Sequence, residues 1–86
     1  MANTRSAIKR MKQSERRRVR NRSVRSRVRA AVKAARLALD TQAQDSRATV
    51  QAAMRTLDRA VTQGVLHRNT VARRKSALAR RLSTRG

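Results

Sequence analysis

One histidine and four acids are all that this chain offers for acid–base or metal chemistry, and none stands where such chemistry needs it. His67 has no acid within eight residues on either side to orient its imidazole as a base, and a lone imidazole does not make a metal site. There is no cysteine, so thiolate ligands, thiol nucleophiles and disulfides are excluded. No paired carboxylates, nucleophile constellation or Gly-rich phosphate loop occurs. The chain is expected to be no enzyme and to need neither cofactor nor metal. His67 reads as a polar connector or cap that at most touches phosphate. Asp40, Asp45 and Asp58 read as helix caps or partners of nearby arginines. Glu15, with Lys12 and Arg18 three residues to either side, reads as part of an intrahelical pair. Met11 and Met54 read as packing residues.

The chemistry that is present in quantity is cationic. Lys and Arg number 24 against 4 acids, a net charge of +20 on 86 residues. Charge of that size calls for a polyanion, nucleic acid ahead of an anionic membrane. It divides the chain unevenly. Residues 1–36 hold 14 basic groups and one acid, residues 37–64 three of each, and residues 65–86 seven basic groups and no acid. The densest stretch is "SERRRVRNRSVRSRVR", residues 14–29. There Arg16, Arg18, Arg20, Arg22 and then Arg25, Arg27, Arg29 recur at every second residue, a rhythm that on its face suits a strand.

The elements that must carry these groups are helical. Val24, Val28, Ala31, Val32, Ala35 and Leu39 recur at helical spacing, and "RAAVKAARLALD" is rich in strong helix formers. No Pro or Gly interrupts residues 5–39, so the arginine rhythm lies inside one continuous helix. Ile8, Met11 and Val19 fall off the apolar arc among arginines, so the first half of that helix cannot continue the seam and must project, by about 30 Å. A second helix is expected from Asp45 or Ser46, either a good N-cap, with Val50, Ala53, Met54, Leu57 and Val61 inward. Gly64 ends it as a left-handed C′ residue. A third begins around His67 to Asn69, with Val71, Leu78 and Leu82 inward. The fold expected is all-α, one domain over residues 1–86. It is a three-helix bundle with an extended, highly basic N-terminal helix, helices falling roughly at 5–40, 45–63 and 67–83. Leu, Ile and Val number only 15, a thin core that a partner is expected to complete.

Like charges at i,i+4, such as Arg16/Arg20 and Arg25/Arg29, each cost a few tenths of a kcal/mol, about the scale of other helical side-chain pairs. A solvated basic tail or a localisation signal is the bland reading. Phosphates of a nucleic-acid cleft surrounding the helix are the functional one. The absence of Phe, Trp and Tyr removes the stacking platforms that readers of single strands use. Folded, double-helical RNA, recognised through phosphates, 2′-hydroxyls and shape, is therefore the expected partner. A basic helix reading the DNA major groove is the competitor, weakened by the lack of a heptad zipper, and no homo-oligomer is expected. A free-standing nucleic-acid-compacting protein is the main alternative. A membrane-active helix or a mitochondrial presequence is the lesser. Arginines surround the helix where lipid binding needs a broad apolar face, and the basic pattern returns at the C-terminus. No apolar run is long enough for a membrane span and no secretory signal is expected.

Two segments, "MANTRSAIKRMKQSERRRVRNRSVRSRVR" (1–29) and "GVLHRNTVARRKSALARRL" (64–82), resemble the bacterial small-subunit ribosomal protein S-twenty family. That family opens with MAN-x-(K/R)-SA-x-KR, continues with QSE-(K/R)-RR and N-(R/K)-S-x-(K/R)-S, and ends with G-x-(I/L)-H-(K/R)-N-x-x-AR-(R/H)-KS-x-L. The match preserves order and spacing over nearly the whole chain, and only the middle helix is generic. The resemblance implies a three-helix, cytoplasmic, ribosome-bound protein. It would bind small-subunit (16S-type) ribosomal RNA directly and stabilise its fold during assembly, with few protein neighbours and no membrane. Carried over position by position, it implies RNA contacts at Asn3, Ser6, Lys9, Arg10, Ser14 and Arg16. It implies others at Arg17, Arg18, Asn21, Ser23, Arg25 and Ser26. In the last segment it implies His67, Arg68, Asn69, Arg73, Arg74, Lys75 and Ser76. Ile8 stands where the family commonly has Lys, and Val71 where it commonly has Ala, so no phosphate contact carries over to position 8. Arg replaces Lys at many sites, which suits bidentate phosphate binding.

Overall fold

The apolar stripe beginning at Val24 decides where the core sits. In the computed structural model, which describes residues 2–85 and the side chains of residues 4–84, three helices run in order: α1 (Ala2–Asp40), α2 (Ser46–Thr62) and α3 (Arg68–Arg85). Among the described residues there is no strand. The fold is all-α, as expected. α1 starts at Ala2, ahead of the expected residue 5, because nothing at its beginning breaks a helix.

Val24, Val28, Val32, Ala35, Ala38 and Leu39 are buried on α1, and Val50, Ala53, Leu57 and Ala60 on α2. Val65 of the second connection and Val71 and Leu78 of α3 complete the core, with Ala31, Met54, Val61, Leu66 and Leu82 packed at its margin. Burying a Val or Leu side chain contributes about 1.5–3 kcal/mol, and small Ala residues elsewhere let the helices approach closely. α2 packs on both neighbours, while α1 and α3 meet only sparingly and leave a groove between them.

Every described side chain from Thr4 to Arg20 is exposed, Ile8, Met11 and Val19 included. For Met11, 69% exposed, this corrects the expectation of a packing role: it lies beyond the reach of α2 and α3. The bundle occupies only half of α1 and the rest projects. The molecule accordingly measures 64 × 20 × 14 Å with a radius of gyration of 17.6 Å. A compact chain of this length would have a radius of about 12 Å.

Both turns use the same device. After α1, Gln42 N–H donates to Leu39 O (3.3 Å) and Ala43 N–H to Ala38 O (2.9 Å), while Gln42 takes φ 54°. After α2, Gly64 N–H donates to Val61 O and Val65 N–H to Ala60 O, both at 2.9 Å, with Gly64 at φ 74°. This is the Schellman arrangement, in which a left-handed C′ residue lets the last carbonyls find donors. Val65, the residue after Gly64, drops into the core and pins the turn. Gln42 performs the glycine's task with a Cβ attached. Gln42→Gly is therefore expected to stabilise the protein by about 0.5–1 kcal/mol. Gly64→Val, at a position where an added Cβ meets no atom within 4 Å but where a β-branched residue is forced to positive φ, should cost more than about 1 kcal/mol. Urea midpoints of the two variants check both; equal midpoints would contradict them.

The entry to α2 differs from expectation in detail. Asp45 holds the N-cap position with φ −90° and ψ 14°, yet its side chain makes no capping bond. That φ/ψ pair departs from the extended conformation usual for a side-chain cap. Its carbonyl instead accepts from Thr49 N–H (2.9 Å) and Thr49 Oγ1 (3.0 Å). Ser46, the alternative cap, is 1% exposed and sits within the first turn.

Candidate nucleic-acid interface

Charge on α1 faces every direction around the projecting half, because residues that alternate in sequence are about 200° apart on a helix. Ser6, Lys9, Arg10, Ser14, Arg16, Arg17 and Arg18 are all exposed there; the side chain of Asn3 lies outside the described residues. Ser23, Arg25 and Ser26 are exposed where α1 enters the bundle, and Asn21 is half-buried. The single acid of this half, Glu15, reaches Arg18 at 3.8 Å across solvent, a pair worth at most about 1 kcal/mol. It leaves the excess positive charge almost untouched.

At the base of the projection, Arg16, Arg20 and Arg27, with Glu15, Ser23 and the apolar Val19 and Val24, surround a shallow depression closed by Gln63, beyond the end of α2. His67 immediately precedes α3. Its Nδ1 accepts from Asn69 N–H at 3.1 Å and its carbonyl from Val71 N–H at 3.2 Å, so it caps α3 with both side chain and backbone. An accepting Nδ1 needs a lone pair, so in the neutral ring the proton resides on Nε2, which is left as an outward donor. Arg68 and Asn69 are exposed in the same turn.

Along α3, Arg73, Arg74 and Ser76 are exposed. Lys75 is different. It lies partly buried, with Nζ 3.0 and 3.2 Å from the two carboxylate oxygens of Asp58 on α2. Arg81 of α3 likewise binds Asp40 at the end of α1. These two pairs lace α3 to its neighbours and consume two of the four acids.

Arg74 lies in the groove between α1 and α3, opposite Arg29, Lys33 and Arg36. The motif positions named above include Arg74 but none of those three. Their signal is nonetheless present in the sequence. Arg22, Arg25, Arg29, Lys33 and Arg36 recur at steps of three and four beside the apolar stripe, one line along a helix. The two-residue arginine rhythm obscures it. Among the described residues, no three His, Asp or Glu side chains gather closely enough to hold a metal ion. No helix among them is long and apolar enough to cross a membrane.

Comparison with known proteins sets this geometry in a family. A sequence profile described as "Ribosomal protein S20" matches residues 2–83. A "Small ribosomal subunit protein bS20" of Carboxydothermus hydrogenoformans is 42% identical over 85 residues, covering 98% of this chain and 91% of that protein. The protein of the same name from Mycolicibacterium smegmatis is 46% identical over 80 residues, covering 92% of this chain and 93% of its own length. That from a Mycobacterium species is 48% identical over 80 residues, again covering 92% and 93%. Identity at this level over nearly the full length of both partners is what common descent produces, and the chain belongs to the ribosomal protein S20 family.

Proposed function

We propose that this protein is a structural constituent of the small ribosomal subunit that binds small-subunit ribosomal RNA directly and stabilises its fold during assembly, in the bacterial cytoplasm. The observation that carries the reading is the projecting half of α1. It has exposed side chains on every face, a surplus of cations and no protein partner within the chain. Crowded like charges weaken such a helix in isolation, and surrounding anions would relieve them. The absence of aromatic side chains favours phosphate, 2′-hydroxyl and shape contacts over base stacking, and with them folded RNA over single strands. Family membership points to the same partner. The role is non-enzymatic: the polar groups position and neutralise phosphate.

The arginines of α3 supply a direct test. Arg73→Gln/Arg74→Gln/Lys75→Gln removes two exposed cations and one that bridges to Asp58. The bundle should survive, losing about 1 kcal/mol or less from the exposed ion pair, since Gln keeps good helix propensity. Affinity for small-subunit ribosomal RNA should fall. Its salt slope should become shallower by about 0.7–0.9 for each phosphate no longer neutralised. Wild-type protein should prefer that RNA to random DNA duplex throughout a salt titration. Equal affinity for the two would favour a nucleic-acid-compacting role. Unchanged affinity and slope for the triple variant would remove α3 from the interface.

A further inference from the structure

We infer that α1 and α3 together form a track for the sugar–phosphate backbone of one strand of folded RNA, made by residues outside the family motifs as well as within them. The proposal rests on the RNA-binding reading and deepens it. Arg18, Arg22, Arg25, Arg29, Lys33 and Arg36 fall within about 80° of one another around α1 and span about 27 Å along it. The structure shows them as a shallow groove along α1 alone and an adjoining one between α1 and α3, the two sharing Arg29. Arg18, Asn21, Arg22, Arg25 and Arg29 line the first, and Arg29, Lys33 and Arg36 face Arg74 across the second.

Three observations point to a phosphodiester backbone. The first is the lack of internal compensation. Among the described residues, Arg22, Arg25, Arg29, Lys33, Arg36 and Arg74 have no carboxylate within ion-pairing distance. The one acid lining the second groove, Asp40, is held by Arg81. Like charges brought together from two helices repel, and folding alone gives no reason to gather them. The second is spacing. Cations every three or four residues recur about every 5 Å, a linear array that suits a linear polyanion and exceeds what one small anion needs. The third is the floor. Ala30, Val32 and the exposed Leu37 line the second groove between the cations, an uncharged floor that a strand's sugars can approach while the longer arginines reach around it. Asn21, half-buried in the first groove, adds a polar group able to meet a 2′-hydroxyl. In this arrangement the projecting half of α1 and the bundle grip one continuous strand.

The test is Arg29→Gln/Lys33→Gln/Arg36→Gln in the full chain. Its control is Arg47→Gln/Arg55→Gln/Arg59→Gln, which removes the same charge from exposed positions on α2. With small-subunit ribosomal RNA as ligand, the track variant should bind at least about tenfold more weakly near physiological salt, with a slope shallower by about two to three units. The control should change both much less. Phosphate-ethylation interference on wild type should mark a run of neighbouring phosphates in one strand, and part of that run should vanish in the track variant. Circular dichroism should show both variants folded, since exposed cations are replaced by a helix-tolerant residue. Equal losses in the two variants, or wild-type affinity in the track variant, would overturn the proposal. Should wild type bind ribosomal RNA and random RNA duplex alike, the ribosomal assignment falls, and the same two variants still decide the track on the duplex.

Discussion

Leu57→Ala is expected to lower the thermal midpoint by about 10–25 °C, the largest stability loss from any single truncation in this chain. Leu57 is wholly buried on α2, the helix that packs on both others, and is the largest side chain so enclosed. Truncating a buried Leu costs about 2–5 kcal/mol, from lost transfer energy and the cavity left behind. The whole stability of a domain this small is about 4–13 kcal/mol, and a core of Val and Ala places this one toward the lower end. Leu37→Ala is the matched contrast. Leu37 is 61% exposed and lines the open groove between α1 and α3, outside the buried core, so its truncation should change stability by no more than about 0.5 kcal/mol. Thermal scans followed by circular dichroism separate the two. A midpoint for Leu57→Ala within a few degrees of wild type would mean that the core is not where the buried set puts it.

Deleting residues 2–22 is expected to do the reverse, sparing stability and destroying tight RNA binding. The buried positions of α1 begin at Val24, so the bundle loses no core residue. The deletion removes nine cations. If about six of them meet phosphates, the salt slope should fall by about four to five units and the affinity near physiological salt by about a thousandfold or more. Filter binding at several salt concentrations, beside thermal unfolding, measures both. A deletion that left RNA affinity intact would contradict the role given to the projecting helix. The same reasoning bears on the full chain without RNA. A helix with no tertiary contact and crowded like charges has only its intrinsic propensity to hold it. Amides of residues 5–20 should exchange rapidly in the free protein, and helicity should rise on addition of ribosomal RNA. Strong protection of those amides in the absence of RNA would contradict this.

The sequence by itself determined the number of helices, their order and most of the core. Apolar periodicity is a local property of the chain, and the stripes at Val24–Leu39 and Val50–Val61 can be buried only one way. Gly64 was legible for the same reason: glycine after a helical stripe announces a left-handed residue. Gln42 performs the same turn and carries no such announcement, since only the packing of α2 back onto α1 obliges it to adopt positive φ. Met11 and Asp45 are instructive in the same way. A methionine reads as core and an aspartate before a helix reads as a cap, yet distance from α2 leaves one in solvent and the backbone angles of the turn leave the other without its bond. Tertiary structure alone decided which cations are free. Lys75 and Arg81 meet Asp58 and Asp40 across helix boundaries, pairings 17 and 41 residues apart that no local pattern encodes. Arg74 comes to face Arg29, Lys33 and Arg36 because two successive reversals set α3 parallel to α1. Composition could establish that the chain seeks a polyanion. Where its charge gathers into a track depends on how the three helices lie against one another.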